Sequence, residues 1–193
     1  MLAGLNEKEL LTIIDNQFTE NYWMEYRSGN ILEETDLDYI VHQANCFHCM
    51  GAGVAGALAK KWSIVAKVDK EYTPYGVKEK MGTYTEVTID EPDKKQLKVI
   101  NLYSQFAPGC ATSMQDIKDT AKAIETGLIE LREQIINAQA NRLVKGAKYY
   151  IGFPWLIACG IYGMDVNEVY GIIKSVFYDY SDIIKVVFVE FGN

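Results

Sequence analysis

Between Tyr39 and Trp62 the sequence reads YIVHQANCFHCMGAGVAGALAKKW, and this stretch holds both histidines of the chain, His42 and His48, with two of its four cysteines. His42, Gln43 and Asn45 follow an apolar β-type run. Met50-Gly51-Ala52-Gly53 comes next, and then apolar residues at helical spacing. The order is strand, loop, helix. Gly51 and Gly53 let the backbone come close to a ligand, and the first amides of a helix have no internal partner. Such a place holds phosphate.

A second strand-to-loop transition has the same character. Lys148 to Phe153 is a buried-strand pattern that runs through Pro154 into Ala158-Cys159-Gly160-Ile161-Tyr162-Gly163. Tyr162, between two glycines, is either a surface aromatic or a wall for a sugar ring. Asp165, three residues before Glu168, suits the N-cap of the next helix, and it also closes a glycine-rich loop where a carboxylate can orient water. Cys159 has no histidine near it in sequence and reads as packing rather than as a nucleophile.

The elements that must position these loops alternate between strand and helix. Asn6 to Glu9 has the form of a capping box and opens a helix ending near Tyr22, an extension covering residues 1–23. Tyr22 to Tyr26 is a first strand. Ile64 to Tyr72 is an amphipathic helix ended by Thr73-Pro74-Tyr75-Gly76, and Gly82 to Ile89 pairs with Leu97 to Tyr103 as a hairpin. Ser113 and Asp116 cap a long helix reaching about Leu143, with Gly127 as a soft spot. A helix from Asp165 to Tyr178 follows. Ile183 to Phe191 is nearly continuous Val, Ile and Phe, which places it centrally in a sheet covered on both faces. The class is α/β, with a mixed, mostly parallel sheet.

Composition narrows the partners. The 193 residues carry a formal charge of -7, from 19 Lys and Arg against 26 Asp and Glu, so there is no basic face for duplex nucleic acid or an anionic membrane. An anion must then be held by local backbone dipoles, which favours a small phosphorylated molecule. Glu7, Lys8 and Glu9 precede any sustained apolar run and no run has transmembrane length, so a cytoplasmic protein with reduced thiols is expected.

Two other motifs fail on context. Gly51, Gly53 and Gly56 match G-x-G-x-x-G, yet Asn45 to Cys49 separates them from the strand and no βαβ unit precedes them. His42, Cys46, His48 and Cys49 are all metal-ligand types, but three of them crowd together and no second pair occurs elsewhere. Neither metal nor cofactor is expected.

The residues resemble the macro domain family, and within it the ADP-ribose 1''-phosphate phosphatase-like branch of phages and bacteria. Gly29-Asn30-Ile31 is similar to the family's G-D-I. Ile40 to Asn45 with Met50-Gly51-Ala52-Gly53-Val54-Ala55 resembles its V-N-A-A-N strand and glycine-rich loop. Gly160 to Gly163 resembles G-I-F/Y-G, and Asn101-Leu102-Tyr103-Ser104-Gln105 resembles N-L-Y-T-Q. The likeness covers residues 24–193 and implies a three-layer α/β/α domain. It implies that Asn30 approaches adenine, that Gly51 to Ala55 and Gly160 to Gly163 cradle the diphosphate, that Tyr162 covers the distal ribose and that Asn45 holds it, with Ile31, Met50 and Cys159 also among the ligand-binding residues. Asn30 stands where the family usually has Asp, and His42 where it has the first Asn.

The implied activity is hydrolysis of a group on the terminal ribose of ADP-ribose, foremost the 1''-phosphate, with Asn45 positioning and His42 or Asp165 moving a proton or orienting water. The partner would be ADP-ribose or a derivative. Two alternatives share the pocket: a binder of ADP-ribose-type nucleotides without chemistry, and a hydrolase that removes ADP-ribose from macromolecules.

Overall fold

The computed structural model describes residues 23–140 and 147–190. The expected N-terminal helix and the far end of the long helix lie outside them. In chain order the elements are β1 (Met24–Arg27), a 3-10 turn (Ile31–Glu33), β2 (Tyr39–Asn45), α1 (Gly53–Lys61), α2 (Ser63–Glu71), a 3-10 turn (Lys78–Lys80), β3 (Tyr84–Ile89), β4 (Leu97–Gln105), α3 (Met114–Ala140), β5 (Tyr149–Pro154), α4 (Val166–Phe177), a 3-10 turn (Tyr178–Tyr180) and β6 (Ile184–Val189).

The six strands form one sheet in the order β1-β6-β5-β2-β4-β3, parallel except for the β3–β4 hairpin. The strands carry apolar residues on both faces because both are covered. In β6, Val186 and Phe188 join the cluster under α3 and α4, whereas Val187 and Val189 join Leu58 and Val65 under α1 and α2. β6 is fully interior, one strand in from the edge rather than at the centre.

Gly127, a weak point by helix propensity, has a packing reason: a Cβ there would come within 2.4 Å of the Leu102 side chain and 3.0 Å of the Gly82 carbonyl oxygen. The missing side chain lets α3 lie close on β4. Ser113 Oγ accepts from the Asp116 amide at 3.1 Å, as the capping pattern predicts.

One topological feature makes the site. β2 and β5 are neighbours, yet the helices that follow β2 pack on one face of the sheet and the helix that follows β5 packs on the other. The two loops therefore part company over the carboxyl ends of the strands. In open α/β sheets that divergence opens a crevice.

Candidate functional site

A cavity of about 830 Å³ occupies this crevice, a size in the range of small-molecule sites. Its floor is made by the ends of the parallel strands: His42, Gln43 and Asn45 of β2, Gln105 of β4, Pro154 of β5 and Glu190 after β6. One wall is Gly51 to Ala55, where the chain enters α1. The facing wall is Trp155 to Ala158 with Gly160 and Ile161.

The first wall presents backbone. α1 starts after Ala52, which has no capping side chain, and Gly53 takes φ +55°. Its opening amides lack helical partners. Gly56 lets the helix lie against the loop, since a Cβ there would stand 3.0 Å from the Gly51 carbonyl carbon. A Cβ on Gly51 would meet nothing within 4 Å. Among the described residues neither lysine nor arginine lines the cavity, so an anion here is met by amides and the helix dipole.

Asn45 organises the loop that carries those amides. Its Oδ1 accepts from the Phe47 amide at 3.0 Å and the Cys49 amide at 3.2 Å, and its Nδ2 donates to the Cys49 carbonyl at 2.9 Å. One hydrogen of Nδ2 remains for a ligand. Below, a buried polar network anchors the same loop. His48 Nδ1 lies 3.3 Å from Asp69 Oδ1 and 3.4 Å from Lys80 Nζ, the Tyr103 hydroxyl donates to Asp69 at 2.9 Å, and Lys80 Nζ sits 3.9 Å over the Tyr103 ring. His48 stacks on Tyr75, and the Gly76 amide donates to the Cys46 carbonyl at 2.9 Å.

His42 joins this network from the cavity side. Its Nε2 is 2.6 Å from Asn101 Oδ1 and its Nδ1 is 3.0 Å from the Gln43 carbonyl. Burial pushes the imidazole pKa down against those two contacts, which selects the neutral ring. Turning the Asn101 amide over lets Nδ1–H donate to Gln43 O while Nε2 accepts from Asn101, and Thr85 Oγ1, 3.0 Å away, can then donate to the amide oxygen, at the loss of the 3.4 Å bond from Asn101 Nδ2 to the Val65 carbonyl. In either setting both ring nitrogens face protein groups.

Several expected site residues stand elsewhere. Tyr162, expected over a ribose, is 6% exposed and turned into the apolar core with its hydroxyl donating to the Asp116 carbonyl at 3.3 Å, whereas Ile161, 66% exposed, faces the cavity. Cys159 is buried beside it, and burial pushes its thiol up to about 12. Asp165 does not line the cavity; its Oδ1 accepts from the amides of Asn167 at 2.9 Å and Glu168 at 3.2 Å, an N-cap. Asn30 likewise caps a short helix through Leu32, the Ile31 amide donates to the Glu190 carbonyl, and neither is among the residues that line the cavity. Met50 packs on the apolar cluster below, and Gly163 makes the turn behind the wall with φ +90°. Among the described residues no group of three or more His, Cys, Asp and Glu could hold a metal ion, and no helix is long and apolar enough to cross a membrane.

Among the lining residues, four polar or aromatic ones had no site role assigned from the sequence. Gln105 donates to the Gly109 carbonyl at 2.8 Å, which folds the β4–α3 loop against the cavity. Glu190 accepts from the Tyr26 hydroxyl and, at 2.8 Å, from Ser28, and those bonds hold its carboxyl below the usual range. Trp155 and Gln43 complete the set. All four sit at the carboxyl ends of strands, and the strand pattern alone could have flagged them.

No protein-family model matches the chain. A segment of 72 residues is 42% identical to an uncharacterized 17.5 kDa protein of Enterobacteria phage T4, encoded in the tk-vs intergenic region; the match covers 36% of this chain and 44% of that protein. Among solved structures, a Bacteroides thetaiotaomicron protein of unknown function superposes with a TM-score of 0.65 at 20% identity, covering 88% of this chain and 99% of that one. The macrodomain of Mycobacterium tuberculosis DarG gives 0.61 at 19% identity, over 86% and 96%. Thermosipho africanus DarTG, solved in complex with ADP-ribose, gives 0.59 at 16%, over 86% of this chain and 41% of that one. The fold is that of the macrodomains, as the resemblance implied.

Proposed function

We propose that this macrodomain-fold chain binds ADP-ribose or a derivative in the crevice between the two loops. The observation that carries the reading is a cavity whose anion-facing wall is backbone amide at the start of α1, without a cationic side chain. A diphosphate would lie along Gly51 to Ala55, closed from the other side by Gly160 and Ile161. Asn45 would offer its remaining hydrogen to a sugar hydroxyl. Thermal unfolding with added ADP-ribose, ADP and AMP tests this. A ligand that binds only the folded chain stabilises it by about 2.7 kcal/mol at 100 times Kd, so Tm should climb with ADP-ribose and less with AMP. Equal, negligible shifts with all three would remove the reading.

A second reading rests on His42. A neutral, buried imidazole in a cavity that Asn45 also lines is the residue type that assists hydrolysis, and it favours release of a group from the terminal ribose, foremost the 1''-phosphate. Because both ring nitrogens face Asn101 and Gln43, His42 must let go of one partner to exchange a proton with a substrate. Phosphate release from ADP-ribose 1''-phosphate that falls at least a hundredfold in His42→Ala, with ADP-ribose affinity kept, would support it. Binding without release of phosphate would leave the chain a nucleotide binder.

A further inference from the structure

The polar side chains on the cavity floor are nearly all engaged by the protein. Asn45 is tied to its loop, His42 to Asn101 and Gln43 O, Gln105 to Gly109, and Glu190 to Tyr26 and Ser28. Gln43 differs. It lines the cavity and is half-buried, yet its amide nitrogen is shut off from solvent and has no hydrogen-bond partner. A buried donor left unmade costs stability, and native proteins rarely keep one without a use.

Its position gives the use. Residues two apart on a strand share a face, so Gln43 leaves β2 on the same side as Asn45, while its own carbonyl oxygen holds the His42 ring at 3.0 Å. The side chain has three rotatable bonds, and because it borders open cavity a turn of its carboxamide leaves no packed void.

We propose that Gln43 is a ligand contact, whose carboxamide turns into the cavity when ligand is present and donates an N–H to an oxygen of the sugar, or of the group it carries, lying over Asn45. The assignment rests on the ADP-ribose reading for the ligand's identity, but the unmade donor is a property of the empty protein. Gln43 would therefore set specificity at the far end of the nucleotide, at the expense of stability without ligand.

Gln43→Met, of similar shape and without the amide, separates the two. In ligand-free protein the substitution should raise Tm by about 2–4 °C, because the buried donor is gone. ADP-ribose affinity measured by calorimetry should fall about 3- to 10-fold, the size of one neutral hydrogen bond. Gln43→Glu should lose a further factor of ten or more if the acceptor is a phosphoryl oxygen, and lose no more than Met if it is a hydroxyl, which can donate to the carboxylate. A lowered Tm in ligand-free Gln43→Met means the nitrogen is partnered in solution and overturns the proposal, as does affinity unchanged within twofold. Absence of ADP-ribose binding in wild-type protein counts against the nucleotide reading alone, and the Tm comparison then still decides whether Gln43 holds an unmade donor.

Discussion

The two walls of the cavity are both glycine-bearing loops at the ends of adjacent parallel strands, yet they are held by opposite means. The loop after β2 is pinned from beneath by polar groups: the Asn45 amide, the Asp69, His48 and Lys80 cluster, and the bond from Gly76 to Cys46. The loop after β5 is pinned by apolar burial of Ile157, Cys159, Tyr162 and Met164. A polar anchor fixes direction and responds to protonation and to loss of one member. An apolar anchor fixes depth and responds to volume. The wall that presents amides has the directional anchor, which suits a surface whose task is to aim N–H groups.

The comparison breaks most sharply at Asp69. Asp69→Ala would leave Lys80 buried at 2% exposure without its neighbouring carboxylate, and loss of one partner of such a cluster costs about 3–5 kcal/mol. Chemical denaturation should show that loss, with ADP-ribose affinity falling as the loop is released. Tyr162→Ala on the other wall should cost about 3 kcal/mol through its cavity, whereas Tyr162→Phe, which keeps the volume and deletes one bond, should cost about 1 kcal/mol or less. If Phe were as damaging as Ala, the second loop would be held by polarity after all.

A pH series sharpens the contrast. Burial depresses the His42 pKa, so below its ordinary value of about 6.5 the unfolded chain takes up a proton that the folded chain refuses. The contribution is complete above that value and is lost as pH falls toward the folded pKa. Denaturation at pH 7.5, 6.5 and 5.5 should show stability declining with acid, and His42→Gln should flatten that part of the decline. The carboxylates with lowered pKa, such as Asp36 and Glu190, act only below the usual carboxylate range and do not mask it.

The smallest effect belongs to Asp165. Asp165→Ala should cost about 1 kcal/mol of stability as a lost cap, and Asp165→Ser a few tenths at most. Neither should alter ligand affinity, because the side chain caps α4 and does not line the cavity.

How much of this was legible in the chain follows from what each signal encodes. Strand and helix order was readable because the periodicities are strong, and the hairpin, the Ser113 cap and the glycine wall at Gly51 to Ala55 stand where the residues predict. Facing was not. Tyr162 and Ile161 are adjacent, and which one meets the cavity depends on the Gly163 turn at φ +90° and on α3 packed behind it, neither of which local sequence shows. Asp165 illustrates a different limit: one carboxylate beside a glycine loop and before a helix suits two roles, and only the bonds to Asn167 and Glu168 decide. The Asp69 and Lys80 cluster joins α2, a 3-10 turn and β4 through tertiary contact alone.

The most direct measurement is a calorimetric titration of ADP-ribose into wild-type protein and into Gly51→Val. Gly51 is the better probe than Gly53, since Gly53 holds φ +55° and a β-branched residue would strain the backbone there, whereas Gly51 lines the cavity and a Cβ added to it would meet nothing within 4 Å. Saturable one-site binding to the wild type, lost by at least a factor of ten in a Gly51→Val protein of unchanged Tm, is the predicted result. Equal affinity in the two folded proteins would contradict the amide wall as the seat of the diphosphate.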